Sequence, residues 1–116
     1  NSEGQQSEAS TFNKHARWMA AYGKRSGRDD GLIEGLAIIS PEYKRSPFDR
    51  NVWFTRNYGY FSPNPFISLD NNEKFVMPEN DVLRLAYRII AFTGIPSDSF
   101  LNAQWDEFNE LAVVNL

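Results

Sequence analysis

Residues 51–66, NVWFTRNYGYFSPNPF, constrain the fold more than any other stretch of this chain. They place six aromatics around one Arg and several Asn, with two Pro near the end. Gly59 and the SPNP run at 62–65 break regular structure, because Pro lacks a backbone donor and Gly is too permissive. Residues 52–56 therefore read as a strand by their β-branched and aromatic content, and 57–66 as irregular or bulged. The segment is too polar for an ordinary core strand and too aromatic for an ordinary loop. It suits a surface that grips a planar or sugar-like ligand, and equally the corner of a β-sandwich.

The rest of the chain reads mainly as strands. At 82–92, Leu83, Leu85, Tyr87, Ile89 and Ala91 alternate with Val82, Arg84, Ala86, Arg88, Ile90 and Phe92, which predicts a strand. Residues 12–22, FNKHARWMAAY, predict another, with Trp18, Ala20 and Tyr22 on one face. Residues 31–39, rich in Leu and Ile, predict a third. Asp30-Gly31 between these two is a hairpin signal. Residues 40–51 carry two Pro and read as loop, 66–69 as a short strand, and 69–74 as a turn. After Gly94, Ser97 is a good N-cap, and Phe100, Leu101, Trp105, Phe108 and Leu111 recur at helical spacing. This predicts an amphipathic helix over 98–111. The expected architecture is an antiparallel β-sandwich with a C-terminal helix.

A chain of 116 residues holds one domain. Residues 1–11 are polar and predict a flexible tail, leaving 12–116 as a single β-rich domain or the C-terminal portion of a larger sandwich. The chain does not begin with Met, so its start is expected to be processed or engineered. Cysteine is absent, which excludes disulfides and thiol chemistry. Net charge is −3, with nine Lys/Arg against seven Asp/Glu in 1–56 and three against eight in 57–116. That balance, with unclustered basic residues, argues against nucleic-acid binding. No apolar run reaches the ~18–20 residues that span a bilayer.

ARWMAAYGKRSGRDDGLIEGLAII, WFTRNYGYFSPNPF and LRLAYRIIAFTG together resemble the DUF6807 family over roughly residues 16–94, with R-x-Y-G and N-P-F the most specific pieces. The family carries the label "methane oxygenase PmoA". A membrane copper oxygenase needs apolar spans and a cluster of His or carboxylate ligands, and this chain has one His. The resemblance implies instead bacterial carbohydrate catabolism and a sandwich similar to those of galactose mutarotase-like proteins. It further implies a periplasmic or secreted location, and that this chain is a terminal fragment or shortened relative, its C-terminal part. The chain departs from the family pattern in three places. Ile39-Ser40-Pro41 stands where the family has Asp-His-Pro, Asn57 replaces an Asp, and Phe92 replaces a His.

The expected ligand surface comprises Trp53, Arg56, Asn57, Tyr58, Tyr60 and Asn64. Arg56 would hydrogen-bond hydroxyls or a carboxylate, and a tyrosine ring would stack on a sugar's apolar face. The alternative is that Arg56 pairs with an acidic neighbour while the tyrosines fill the sandwich edge. Trp18 and Trp53 also read as core. Other readings are weaker. His15 reads as exposed near the terminus, Glu34 as a strand carboxylate, and Asp70 to Glu73 as a turn lacking calcium-loop spacing. No cofactor is called for.

Three functions remain open. The first is a carbohydrate-associated binding or structural protein, favoured because the family's His positions are empty. The second is a sugar-active hydrolase, lyase or epimerase using carboxylates such as Glu34 or Asp49. The third is an interaction module that presents a sheet edge or the C-terminal helix to another copy or to a missing N-terminal segment.

Overall fold

The computed structural model describes residues 1–68 and 74–115. Its order is α1 (Glu8–Thr11), β1 (Lys14–His15), β2 (Trp18–Lys24), β3 (Ile33–Ile39), β4 (Val52–Thr55), β5 (Phe61–Pro63), β6 (Arg88–Thr93) and α2 (Asp98–Asn115). Two short 3-10 turns, Phe48–Arg50 and Pro65–Ser68, flank β4 and β5. The strands form two antiparallel sheets, ordered β1-β4-β5 and β2-β3-β6. The fold is mainly β and sandwich-like, with the C-terminal helix expected from its apolar spacing.

Register assigns the two faces of the β2-β3-β6 sheet. Trp18, Ile39 and Arg88 form one cross-strand row, Ala20, Ala37 and Ile90 the next, and Tyr22, Gly35 and Phe92 the third. Side chains alternate along a strand, so these rows share a face, and α2 covers it. Trp18, Ala37, Ile39 and Leu101 are buried there, with Trp105 and Phe108 packed against them. Leu101, Trp105, Phe108 and Ala112 follow one stripe at spacings of three and four. Phe100 and Leu111 lie on its flanks and are half exposed. Ser97 starts the helix as predicted, its Oγ accepting the Phe100 N–H at 3.2 Å.

The opposite face meets the second sheet at one end only. Ala16, Met19 and Trp53 form a second buried cluster, with Ile38 and Phe61 against it. Farther along β3, Leu36 is 47% exposed, and across on β6 Ile89, the register partner of Ile38, is 66% exposed, so the cladding of this face is partial. The molecule is correspondingly elongated, with a radius of gyration of 15.7 Å; compact domains of ~100 residues have about 13 Å.

Three elements differ from the sequence reading. The strand expected over 12–22 is split: β1 joins one sheet and β2 the other. The break falls at Ala16 and Arg17. The Ala16 N–H bonds the Asn51 carbonyl, and its own carbonyl accepts the buried Trp53 indole N–H at 2.8 Å. The strand expected over 82–92 begins only at Arg88, opposite Ile39. Its partner β3 stops there because Pro41 follows with no N–H to donate. Upstream, the Ala86 backbone is satisfied by the Tyr43 hydroxyl, which donates to its carbonyl at 2.6 Å and accepts its N–H at 2.7 Å. The strand expected from Phe66 is a 3-10 turn, capped by Asn64 Oδ1 accepting the Phe66 N–H. The turn read at 69–74 lies, apart from Lys74, outside the described residues.

Residues 1–11, read from composition as a tail, lie against the strands through polar contacts rather than apolar burial. The Ser2 N–H bonds the Trp18 carbonyl, and Ser2 Oγ accepts the Arg17 N–H at 2.8 Å. In α1, the buried Thr11 hydroxyl meets that of Thr55 at 2.8 Å.

Candidate functional site

The β4–β5 hairpin carries most of the expected ligand residues. Its turn closes with the Arg56 N–H on the Tyr60 carbonyl at 2.8 Å and the Gly59 N–H on the Arg56 carbonyl at 3.1 Å. Gly59 sits at φ 96°, a conformation a side chain would strain. This turn splays the expected residues apart. Arg56, Asn57 and Tyr60 line a cleft of about 370 Å³, together with the N-terminal segment and β2. Tyr58 occupies the turn tip, 81% exposed, and does not line the cleft.

Two of the expected residues have structural work instead. Trp53 is fully buried and its indole N–H is taken by Ala16, so it cannot touch a ligand. This corrects its placement on the binding surface: β alternation turns Trp53 inward between the sheets. Asn64 spends its side-chain oxygen on the 3-10 turn and lies outside the cleft lining.

Arg56 is held on three sides. Its guanidinium lies 4.2 Å from the Phe54 ring centroid and 4.9 Å from that of Phe12. Nη1 donates to Glu8 Oε1 at 3.0 Å. The second Glu8 oxygen accepts the Asn57 N–H, and the Glu8 N–H donates to Asn57 Oδ1 at 2.9 Å. Arg56 therefore follows the acidic-neighbour alternative, and Glu8 clasps the N-terminal segment onto the hairpin turn. The Asn57 amide nitrogen has no partner among the described residues.

Beside the less exposed Trp18 and Phe61, the most exposed aromatic surface of the cleft comes from Tyr60 and Tyr22, 52% and 48% exposed. Each ring is braced edge-on: Tyr60 by Phe54 at 5.8 Å and Tyr22 by Phe92 at 6.5 Å between centroids. Their hydroxyls carry no partner among the described residues. Tyr22, Glu8 and the segment around Gln5 were missed as site residues. The strand reading of 12–22 placed Tyr22 on a face with Trp18, but Glu8 and Arg56 are too far apart in sequence for local pattern to join them.

The remaining carboxylates stand elsewhere. Glu34 pairs with Arg25 at 3.5 Å near the β2–β3 turn, and Asp49 is exposed on the 3-10 turn. Neither lines the cleft, whereas Asp98 at the start of α2 does. Ser40 is buried. Its Oγ donates to Asn51 Oδ1 at 2.8 Å, and its carbonyl accepts the Trp105 indole N–H at 2.9 Å. His15 is exposed on β1. No helix among the described residues is long and apolar enough to cross a membrane.

The profile of a family described as "Family of unknown function (DUF6807)" matches residues 1–106. The chain belongs to the DUF6807 family. The match includes α1 and the segment before it, so the Glu8 clasp falls within the DUF6807 region rather than outside it. No curated protein and no solved structure matches the chain.

Proposed function

We propose that this DUF6807 chain is a saccharide-binding protein, and that the cleft between the N-terminal segment, β2 and the β4–β5 turn is its site. The observation that carries this reading is the pair of half-exposed, edge-braced tyrosines lining one cleft with amide side chains. A pyranose has an apolar face that stacks on an aromatic ring and a rim of hydroxyls that amides and phenols can bond. Tyr22 and Tyr60 supply the rings, while Asn57 and Gln6 supply amide nitrogens with no partner among the described residues. Binding is favoured over turnover. Glycoside hydrolysis needs two free carboxyls, and both Glu8 oxygens are engaged, which leaves Asp98 alone among the described lining residues.

The test is thermal unfolding of the chain against neutral mono- and disaccharides. A ligand bound only by the folded state raises Tm by mass action. The expected result is a saturable rise with at least one sugar, lost in Tyr22→Ala with Tyr60→Ala and kept in Tyr58→Ala. No saturable rise with any sugar, or a rise that survives loss of both tyrosines, would overturn the proposal.

A second reading is assembly with another copy, favoured by the outer edge of β6. Its outward backbone groups have no partner among the described residues, and its Arg-Ile-Ile-Ala-Phe-Thr sequence carries neither Pro nor a bulge to block pairing. Light scattering tests it. A dimer that Ala91→Pro, at a residue whose N–H faces away from β3, converts to monomer supports it, and a monomer at all concentrations sinks it.

A further inference from the structure

We infer that a second cleft, between residues 42–48 and 82–85, binds a small carboxylate carried on a compact apolar body. Nothing in the saccharide proposal uses this cleft, and the two share no lining residue. Its volume is about 520 Å³, within the ~300–1,000 Å³ of small-molecule sites.

The two walls are tied together before any ligand arrives. The Tyr43 hydroxyl holds both backbone groups of Ala86. Arg45 Nη2 bonds Asp81 Oδ2 at 2.5 Å, joining the same two segments a second time. The Glu42 N–H donates to Asn109 Oδ1 at 2.7 Å, which anchors the first wall to α2, and Ala112 of that helix lines the cleft. A pocket held in this way loses little on ordering when occupied.

The lining divides into a cationic and an apolar part. Lys44 and Arg84 are exposed and have no ion-pair partner among the described residues. Arg25, Arg45, Arg56 and Arg88, by contrast, each have a carboxylate. Phe48, Leu83 and Leu85 supply the apolar part, and Val82 beside them is 65% exposed. Two such cations beside exposed apolar side chains are complementary to an anion with a hydrophobic body. The planar fork of Arg84 suits a carboxylate, with which it can form parallel hydrogen bonds. Glu42 also lines the cleft and repels a second negative charge, which selects a monoanion over a phosphate dianion.

The experiment is calorimetric titration of the chain with phenylacetate, phenylacetamide and phenyl phosphate. The expected result is saturable binding of phenylacetate, with phenylacetamide weaker by about tenfold because it lacks the charge. The exposed double variant Lys44→Gln with Arg84→Gln should keep the Tm of the free protein and weaken phenylacetate by about tenfold or more. Tyr60→Ala should leave it unchanged, which separates this cleft from the saccharide site. The inference fails if phenylacetate does not bind saturably, or if the amide or phenyl phosphate binds as tightly. It fails equally if the double variant binds phenylacetate as well as the parent does.

Discussion

Gly35 tests the packing of the helix-covered face more sharply than any other position. It lies between Tyr22 and Phe92 in the cross-strand register. A Cβ there would come 2.3 Å from the Ala21 carbonyl oxygen and 2.7 Å from both Phe92 Cζ and Tyr22 Cβ. The Phe92 ring can swing aside, but the Ala21 oxygen belongs to the neighbouring strand, so the sheet itself must move. Overpacking of this kind costs about 1–3 kcal/mol. Replacing glycine returns roughly 0.5–1 kcal/mol of backbone entropy, and the backbone contact places the net loss for Gly35→Ala near ~2 kcal/mol. At about 4 °C per kcal/mol for a domain of this size, Tm should fall by roughly 8 °C. Circular dichroism melts, with urea unfolding as a second measure, would show it. Gly23→Ala is the control. It lies on β2, where an added methyl would meet nothing within 4 Å, and should be neutral or slightly stabilising. Adding Phe92→Leu to Gly35→Ala should recover part of the loss. A Gly35→Ala protein as stable as the parent would refute the argument, because the clash alone predicts the fall.

Other perturbations test the remaining contacts. Ser97→Ala removes the cap on the Phe100 N–H and should cost about 1 kcal/mol, read as a lower urea midpoint with an unchanged slope. Trp53→Phe deletes the donor to the buried Ala16 carbonyl and should cost about 1–3 kcal/mol for the unsatisfied group, seen in the same assay. Glu8→Gln weakens an ion pair that is partly exposed, so its stability cost should be at most about 1 kcal/mol. It should nevertheless speed hydrogen exchange at Thr11 and Phe12, whose N–H groups depend on α1 being docked. Burial pushes the Tyr43 hydroxyl up to about 12, despite the opposing bond to Ala86. The folded state holds this proton more tightly than the unfolded chain. The contribution is therefore present below pH 10 and is lost as pH rises towards 12. A phenolate absorbance titration should show a late phase that Tyr43→Phe diminishes, since burial raises Tyr87 as well.

What was legible in the sequence was mostly local. Asp30-Gly31 marked the β2–β3 hairpin, Ser97 marked the start of α2, and the stripe from Leu101 to Phe108 marked its buried side. In each case the signal and the structure it specifies lie within a few residues. The missing information was about partners. Alternation at 82–87 is as clean as at 88–92, yet a strand needs a neighbour, and Pro41 removes one from the earlier half. Aromatic content alone could not separate Trp53, turned between the sheets, from Tyr60, turned outward, until the hairpin register was known. Ser40 and Phe92 have structural work of their own. Ser40 is bonded through its hydroxyl and both backbone groups, and Phe92 packs over Gly35.

The partly clad sheet face changes how a common spectroscopic test reads on this protein. Fluorescent dyes such as anilinonaphthalene sulfonate brighten on exposed apolar surface, and such brightening is ordinarily taken as a sign of a loosened, molten state. Leu36 and Ile89 offer that surface while the strands that carry them, β3 and β6, stay paired with each other in register. Native protein should therefore brighten the dye and still melt in a single sharp transition, so that dye fluorescence here measures uncovered sheet and not lost structure.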